Sequence, residues 1–473
     1  MTELWQWSAT DLAASIRAGE ISSRELIDDV LDRIDEVNPA LNALVAVDHD
    51  GARSAADEAD RLIGSGAEVG PLHGVPVSIK ANLDVEGQPT TSGVVAFADK
   101  VATADAPSVR NLRDAGAIVI GRSNLPEFGL RGTTDGPLYG RTVNPWHDTA
   151  APGGSSGGAA AAAAAGMGPL HQGSDIGGSL RFPSIACGVA SVKPTAHRVP
   201  VFNSTSSGDR APASISASVQ GMICREVADV RLATSVMIRP DPRDPNCPPV
   251  PWDGPTLDSP ITVAVAEPGD LAHTGIVELL ERAAAQLAEA GYRVVRVETP
   301  SIDEPFDGWF STLVTEMDGA MTATVERFGS PEVRQLLAWT VQAGEILDRD
   351  AYIAALGRRT GLLREWNLFL DEHPLLLTPF MLSPMFDWDF DTKSFEETMW
   401  VLERSKYAFG VNYLGLPAGT IGMDLVEDRP AGIQLIGRRF REDLICDGLE
   451  AIERANGVMA RRLWDRAEVT SAA

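Results

Sequence analysis

Hydrophobic positions recur along this chain with two different spacings. In several stretches they return every three or four residues, which predicts amphipathic helices, the first two capped by Ser8 and by Ser22 or Ser23. Short runs rich in apolar residues between these stretches predict strands at residues 75–80, 117–120, 261–265, 292–297, 375–379, 419–423 and 432–436. Because helices and strands alternate, the pattern predicts an α/β fold in which helices cover a sheet on both faces.

The stretch 151–194 departs from both spacings. Two glycine clusters hold Ser155 and Ser179, and the residues between them, 157–166, are almost all alanine. Alanine favours a helix, which would begin right after Ser155 and place its N-H groups near that hydroxyl. Lys80 ends one of the predicted buried strands, and lysine is rarely buried without a reason. These features predict a shaped site that contains two serines and a lysine.

Composition narrows the choice of partners. The 473 residues carry a net charge of -26, which argues against a nucleic-acid or anionic-membrane partner because both need a basic surface. The four cysteines lie far apart without a Cys-x-x-Cys pair, so neither a zinc site nor a disulfide framework is expected. We find no export signal and no apolar run long enough to span a membrane, and we expect a cytoplasmic protein with no metal and no cofactor.

Three ordered motifs carry a resemblance to a known family. They are Gly70-Pro-Leu-His-Gly-Val-Pro-Val-Ser-Ile-Lys80, Gly153-Gly-Ser155-Ser-Gly-Gly158 and Gly173-Ser-Asp-Ile-Gly-Gly-Ser179-Leu-Arg-Phe-Pro183. With this order and spacing the chain resembles the amidase signature family of serine hydrolases over nearly its whole length. The resemblance implies a single large domain, residues 1–473, with a mixed central β-sheet covered by helices on both faces. It also implies a signature core at about 65–240 and a variable substrate-pocket region at about 300–410.

The resemblance implies a catalytic role for each motif. Ser179 would be the nucleophile, Ser155 the bridging serine after a cis peptide bond from Gly154, and Lys80 the base. An ordinary lysine pKa of ~10.4 leaves too little neutral amine at pH 7, so burial must lower the pKa of Lys80. The oxyanion hole would be formed by the backbone N-H groups of Ile176, Gly177, Gly178 and Ser179.

The chain departs from the family pattern beside these residues. Ala81 stands where the family often has Asp, and Ser174 and Ile176 stand where it often has Thr. Ala81 removes a carboxylate next to the lysine, and Ser174 keeps a hydroxyl. We expect Asp175 and Arg181 to form a structural ion pair that braces the nucleophile loop.

The variable region is rich in aromatic and methionine residues, which suit an apolar or aromatic acyl group. We therefore expect hydrolysis of the amide-type C-N bond of a small aromatic or apolar substrate, with amides, anilides and hydrazides all open. The partner would be this small molecule alone, and homodimer formation is left open. The candidate substrate-binding residues are Gly154, Trp309, Phe310, Met385 and Trp388.

Other readings of the glycine-rich serines lead to different functions. Within the family, the chain would be the glutaminase subunit of a tRNA-dependent amidotransferase, although that protein needs charged residues to hold glutamine. Outside it, Gly-x-Ser-x-Gly would make Ser155 the nucleophile of an α/β-hydrolase-type esterase, but no apolar run at 144–152 supplies the required strand. A phosphate-binding loop would need a Gly-Lys-Ser/Thr ending or a Gly-x-Gly-x-x-Gly motif after a strand, and neither stands near these glycines.

Overall fold

The computed structural model describes residues 3–471, with side chains described as far as residue 465, and the strands within that range form one eleven-stranded sheet. The strand order across the sheet is β1-β3-β2-β4-β6-β5-β10-β11-β9-β7-β8. The strands are β1 (Leu44–Val47), β2 (Pro76–Lys80), β3 (Ile118–Ser123), β4 (Leu170–Asp175), β5 (Ala190–Lys193), β6 (Val219–Cys224), β7 (Thr262–Val265), β8 (Arg293–Val295), β9 (Leu375–Pro379), β10 (Ala418–Val426) and β11 (Arg429–Gly437).

The sheet is mixed, as the resemblance implied. β2 pairs in parallel with β3 and β4, and β7 pairs in parallel with β8 and β9, whereas the other neighbouring strands are antiparallel. The two halves join where β5 pairs with β10, from Ala418 opposite Lys193 to Ile421 opposite Ala190. Because hydrogen-bonded pairing continues through this junction, both halves belong to a single domain.

Seventeen α-helices within residues 3–471 surround the sheet. They are α1 (Ala9–Ala18), α2 (Ser23–Leu41), α3 (His49–Gly64), α4 (Pro107–Asp114), α5 (Gly157–Ala165), α6 (Arg181–Ala186), α7 (Pro212–Ala217), α8 (Val227–Met237), α9 (Thr274–Glu289), α10 (Asp303–Met317), α11 (Ala320–Phe328), α12 (Pro331–Ala343), α13 (Arg349–Glu372), α14 (Phe395–Glu403), α15 (Lys406–Leu414), α16 (Glu442–Asn456) and α17 (Met459–Ser471). In this described range no helix is long and apolar enough to cross a membrane.

Two core clusters show that both faces of the sheet are covered. Leu375 and Leu377 of β9 pack into one cluster of buried residues, and Leu376 between them packs into the other. Successive strand residues point to opposite faces, so each cluster fills the space between one face and its helices. The predicted architecture of an α/β sheet between two helical layers is confirmed.

The local signals at the first helices and at the alanine run act as expected. The Ser8 Oγ accepts a hydrogen bond from the Asp11 N-H, and Ser22 forms a capping box with Glu25. The alanine helix α5 begins at Gly157, and every one of its residues is buried. A Cβ on Gly158 would collide with the backbone of Asn124, so small residues let this helix lie directly against its neighbours.

Candidate active site

Lys80 lies at the end of β2 with its side chain completely buried, among three hydroxyl groups. Its Nζ is 2.7 Å from the Ser155 Oγ, 2.9 Å from the Ser156 Oγ and 3.2 Å from the Ser174 Oγ. Ser174 also accepts a hydrogen bond of 3.1 Å from the Asn82 Nδ2. The amine is therefore held by neutral groups, and none of its direct contacts among the described side chains is a carboxylate.

Burial lowers the pKa of Lys80 from 10.5 to about 7, although the negative charge of Asp175 acts in the opposite direction. A lysine with a pKa near 7 supplies a large neutral fraction at pH 7, whereas an ordinary lysine is almost entirely protonated. A neutral amine can accept a proton from a hydroxyl 2.7 Å away.

Ser155 stands where an irregular segment meets the start of α5. The peptide bond between Gly154 and Ser155 is cis, as the resemblance implied. A Cβ on Gly129 would lie 3.2 Å from the Ser155 Oγ, so the missing side chain at Gly129 leaves space beside this hydroxyl. Residues 151–153 before it form no helix or strand, which excludes the strand-to-helix elbow that an α/β-hydrolase needs.

The loop between β4 and α6 carries Ser179, and Asp175 braces it. The Asp175 carboxylate accepts hydrogen bonds from the Gly178 N-H at 2.7 Å and the Leu180 N-H at 3.1 Å. It also forms a fully buried ion pair with the Arg181 Nε at 3.0 Å. Burial by itself raises the pKa of Asp175, but the charge and hydrogen bonds of Arg181 outweigh it and hold the pKa at about 2. The ion pair expected from the sequence is present.

This bracing involves one of the four N-H groups that the resemblance implied as oxyanion donors. The Gly178 N-H was expected to be one of four donors, but it already donates to Asp175, and we leave Gly178 out of the set. The N-H groups of Ile176, Gly177 and Ser179 have no acceptor within the described part of the chain. All three residues line a cavity, and Gly178 does not. Three residues in the cavity lining therefore have backbone N-H groups that are free to donate to a bound molecule.

The cavity beside Ser179 has a volume of about 140 Å³ and a mostly apolar lining. Trp309 of α10 and Phe409 of α15 form its aromatic wall, with ring centroids 4.5 Å apart. The other lining residues are Gly129, Leu130, Arg131, Gly132, Gly154, Ile176, Gly177, Ser179, Phe182, Met317, Leu336, Leu337, Thr340, Asp391, Thr398, Val401 and Leu402.

The two charged residues in this lining neutralise each other. Arg131 forms a buried ion pair of 2.8 Å with Asp391, and its Nε donates to the other carboxylate oxygen at 3.3 Å. The backbone N-H of Gly132 also donates to Asp391, at 3.1 Å. The described lining residues thus present no unpaired charge to a bound molecule.

The structure places the five candidate substrate-binding residues in different surroundings. Gly154 and Trp309 line the cavity, whereas its described lining does not include the other three. Phe310 stacks on Trp309 with centroids 6.5 Å apart, and Met385 lies in a buried core cluster. The Trp388 indole donates to the Asp148 carbonyl at 3.2 Å. Of the five candidates, Gly154 and Trp309 are therefore the two that line the cavity.

The comparisons with known proteins agree with this geometry. A family model described as Amidase matches residues 25–446. The chain belongs to the amidase signature family. The amidase is 44% identical to an indoleacetamide hydrolase of Bradyrhizobium diazoefficiens, over 98% of this chain and 89% of that protein. It is 31% identical to a glutamyl-tRNA(Gln) amidotransferase subunit from Halorhodospira halophila, over 92% of this chain and 94% of that one.

A solved structure shares the fold. The structure of a bacterial aryl acylamidase of the amidase signature family matches the amidase with a TM-score of 0.80 and 25% identity, covering 97% of this chain and 98% of that one. Hydrolysis of non-peptide amide C-N bonds, expected from the sequence, is confirmed. The amidotransferase subunits are more distant relatives than the indoleacetamide hydrolase, and that alternative is not favoured.

Proposed function

We propose that this amidase hydrolyses the primary amide of a small arylacetic acid, with indoleacetamide as the leading candidate. The observation that carries the proposal is an aromatic, apolar cavity beside Ser179 whose two charged lining residues, Arg131 and Asp391, are paired with each other. The name of the 44% identical relative supports the same substrate. A neutral aryl amide loses little on entering such a cavity, whereas a charged molecule would lose its hydration without gaining a partner.

In the proposed mechanism, neutral Lys80 removes a proton from Ser155 while Ser155 removes the proton of Ser179. The Ser179 Oγ attacks the amide carbon, and the oxyanion accepts hydrogen bonds from the free N-H groups of Ile176, Gly177 and Ser179. The C-N bond breaks as Ser155 passes its proton to nitrogen and recovers one from Lys80, and ammonia leaves. Water then attacks the acyl-enzyme by the same relay, which releases the carboxylic acid and restores Ser179.

The contact between Lys80 and Ser155 supports this relay. The two atoms are 2.7 Å apart, and burial brings the pKa of the amine to about 7. Ser156 contacts the same amine, and its N-H donates to the Ser179 carbonyl at 3.2 Å. The start of α5 thus links the lysine to the loop that carries the nucleophile.

The same cavity argues against glutamine as the substrate. Free glutamine carries a carboxylate and an ammonium group, and each would need an opposite charge in the site. Arg131 and Asp391 are engaged with each other, so binding glutamine would require breaking a buried ion pair.

We also propose that the protein works in the cytoplasm without a nucleic-acid partner. The net charge of -26 would repel a polyanion. Cys187, Cys224 and Cys446 are buried as free thiols, which suits a reducing compartment.

The test is a hydrolysis screen with the full-length protein. Release of ammonia, amine or hydrazine is measured with indoleacetamide, phenylacetamide, phenylacetanilide, phenylacetic hydrazide and glutamine, and Ser179→Ala serves as the inactive control. We expect kcat/KM for the best arylacetamide to exceed that for glutamine by at least about 100-fold, since glutamine would leave buried charges unpaired. Comparable or better hydrolysis of glutamine would overturn the proposal.

A further inference from the structure

Three carbonyl groups in the loop that carries Ser179 each accept a hydrogen bond from a different residue. The Gly178 carbonyl accepts a hydrogen bond from the Phe182 N-H at 2.7 Å, and the Ser179 carbonyl accepts from the Ser156 N-H. The Ile176 carbonyl accepts from a side chain far away in the sequence, the Trp309 Nε1 at 2.8 Å. Two of these three donors lie in the serine-containing motifs, whereas the third, Trp309, lies on α10.

A hydrogen bond to a peptide carbonyl also fixes the direction of the N-H in the same peptide. In a planar trans peptide the C=O and the following N-H point in opposite directions. The bond to Trp309 therefore directs the Gly177 N-H away from the indole nitrogen. That N-H has no acceptor within the described residues, and Gly177 lines the cavity with Ser179.

Because residue 177 is glycine, the peptide before it needs a hydrogen bond to hold its orientation. Glycine accepts both signs of φ, so the peptide that precedes it can flip at little steric cost, and a flip would turn the N-H out of the site. A side chain at this position would stop the flip, but there is no space for one. A Cβ on Gly177 would lie 2.7 Å from the Phe409 ring and 3.0 Å from the Trp309 ring.

We propose that Trp309 is a positioning residue for the oxyanion hole: its indole N-H fixes the Ile176–Gly177 peptide so that the Gly177 N-H faces the reacting carbonyl oxygen. The proposal rests on the oxyanion role assigned under the proposed function. Trp309 is 6% exposed and packs on Phe409, so its ring has little freedom to move away from the Ile176 carbonyl. The same indole lines the substrate cavity. One side chain thus joins the aromatic wall to the catalytic backbone.

The test removes the N-H and keeps the ring. Trp309→3-benzothienylalanine replaces the indole N-H by sulfur with almost the same shape, and Trp309→Phe is a second, genetically simple variant. Loss of a whole oxyanion donor costs about 10²–10³ in kcat, and we expect a misdirected donor to cost about 10- to 100-fold. KM should change by less than about threefold, because the Gly177 N-H that Trp309 orients stabilises the transition state more than the bound substrate.

The affinities of two ligands distinguish a positioning role of Trp309 from a packing role. An arylmethyl boronic acid forms a tetrahedral adduct on the nucleophile, and its affinity should fall by about the same factor as kcat/KM. The planar arylacetic acid product should keep its affinity. Phe409→Leu is the matched control, because Phe409 packs on the same glycine without donating a hydrogen bond, and it should raise KM more than it lowers kcat. Unchanged kcat and boronate affinity in the benzothienyl variant would overturn the proposal.

A fluorophosphonate keeps this test separate from the identity of the substrate. Its labelling rate depends on the nucleophile and the oxyanion hole, and needs no amide. If the wild-type protein were not labelled at Ser179, the proposed function would fail. If the wild-type protein and the benzothienyl variant were labelled at Ser179 at the same rate, the assignment of Trp309 alone would fail.

Discussion

Replacing Lys80 by Met should remove a pH-dependent cost to folding and abolish the activity. A fully buried lysine with a pKa of about 7 binds protons more weakly in the folded protein than in the unfolded chain, where its pKa is 10.5. The unfolded state then holds more protons between these two values, so wild-type stability rises with pH across this window. Methionine has a similar length and never ionises, so the Lys80→Met protein lacks this dependence.

The size of the effect follows from the two pKa values. At pH 7 the lysine costs the folded state about 4 kcal/mol, and at pH 9 about 2 kcal/mol, since each pKa unit is worth about 1.4 kcal/mol. Below pH 6 the cost is nearly constant, because both states are then protonated. The free energy of unfolding of the Lys80→Met protein, relative to that of the wild-type protein, should therefore fall by about 2 kcal/mol between pH 7 and pH 9. Lost hydrogen bonds to Ser155, Ser156 and Ser174 alter the absolute difference far more than its dependence on pH.

The assay is urea denaturation of both proteins at pH 6, 7, 8 and 9, with the free energy of unfolding extrapolated to water. Lys100→Met is the control, because Lys100 is exposed and its replacement removes a lysine without altering the buried site. In parallel, kcat/KM of the wild-type protein should rise with pH around an inflection near 7. A stability difference that stayed constant from pH 7 to pH 9 would mean that Lys80 is protonated in the folded protein and is not the base.

Three further outcomes are expected. Ser179→Ala should abolish turnover and fluorophosphonate labelling with an unchanged circular dichroism spectrum, and residual labelling at the site would contradict its role as nucleophile. Ser155→Ala should reduce kcat/KM on an arylacetamide at least tenfold more than on the matching nitrophenyl ester, because only the amine must be protonated to leave; this difference is worth about 1.4 kcal/mol, and equal losses would exclude the relay. Arg131→Met should lower the free energy of unfolding by about 3–5 kcal/mol by leaving Asp391 buried without its partner. Much of that loss should return in Arg131→Met/Asp391→Leu, and thermal denaturation of the single and double variants decides whether it does.

The hydrophobic pattern located seven of the eleven strands in the described residues and missed β1, β4, β5 and β6, of which β4 leads into the loop that carries Ser179. β4 lies in the interior of the sheet, yet it carries His171, Gln172 and Asp175 in place of an apolar run. His171 and Gln172 have partners in other segments: the His171 Nδ1 lies 2.8 Å from the Ser78 Oγ, and the Gln172 Nε2 donates to the Ser108 Oγ at 2.6 Å. Such partners are distant in sequence, so the hydrophobic pattern cannot reveal the strand.

The candidate site was predictable to the extent that its chemistry lies in local motifs. The contact between Lys80 and Ser155 joins two motifs, and the resemblance implied it. That the Gly178 N-H is not available as an oxyanion donor could have been predicted from the local sequence. An aspartate often accepts a hydrogen bond from the N-H three residues further on, and Asp175 is three residues before Gly178. Trp309 and Phe310 are neighbours on α10 and point in different directions, and only the packing of that helix decides which one lines the cavity.

The charges around Lys80 explain why its departures from the family pattern are compatible with a basic amine. Asp175 is the carboxylate whose charge raises the pKa of Lys80, and it accepts a hydrogen bond from the Gly178 N-H. Arg181 forms a fully buried ion pair with that carboxylate. Ala81 adds no charge beside Lys80, and Ser174 supplies a neutral hydroxyl. Burial therefore dominates, and the loop keeps its carboxylate brace while the lysine remains able to accept a proton at neutral pH.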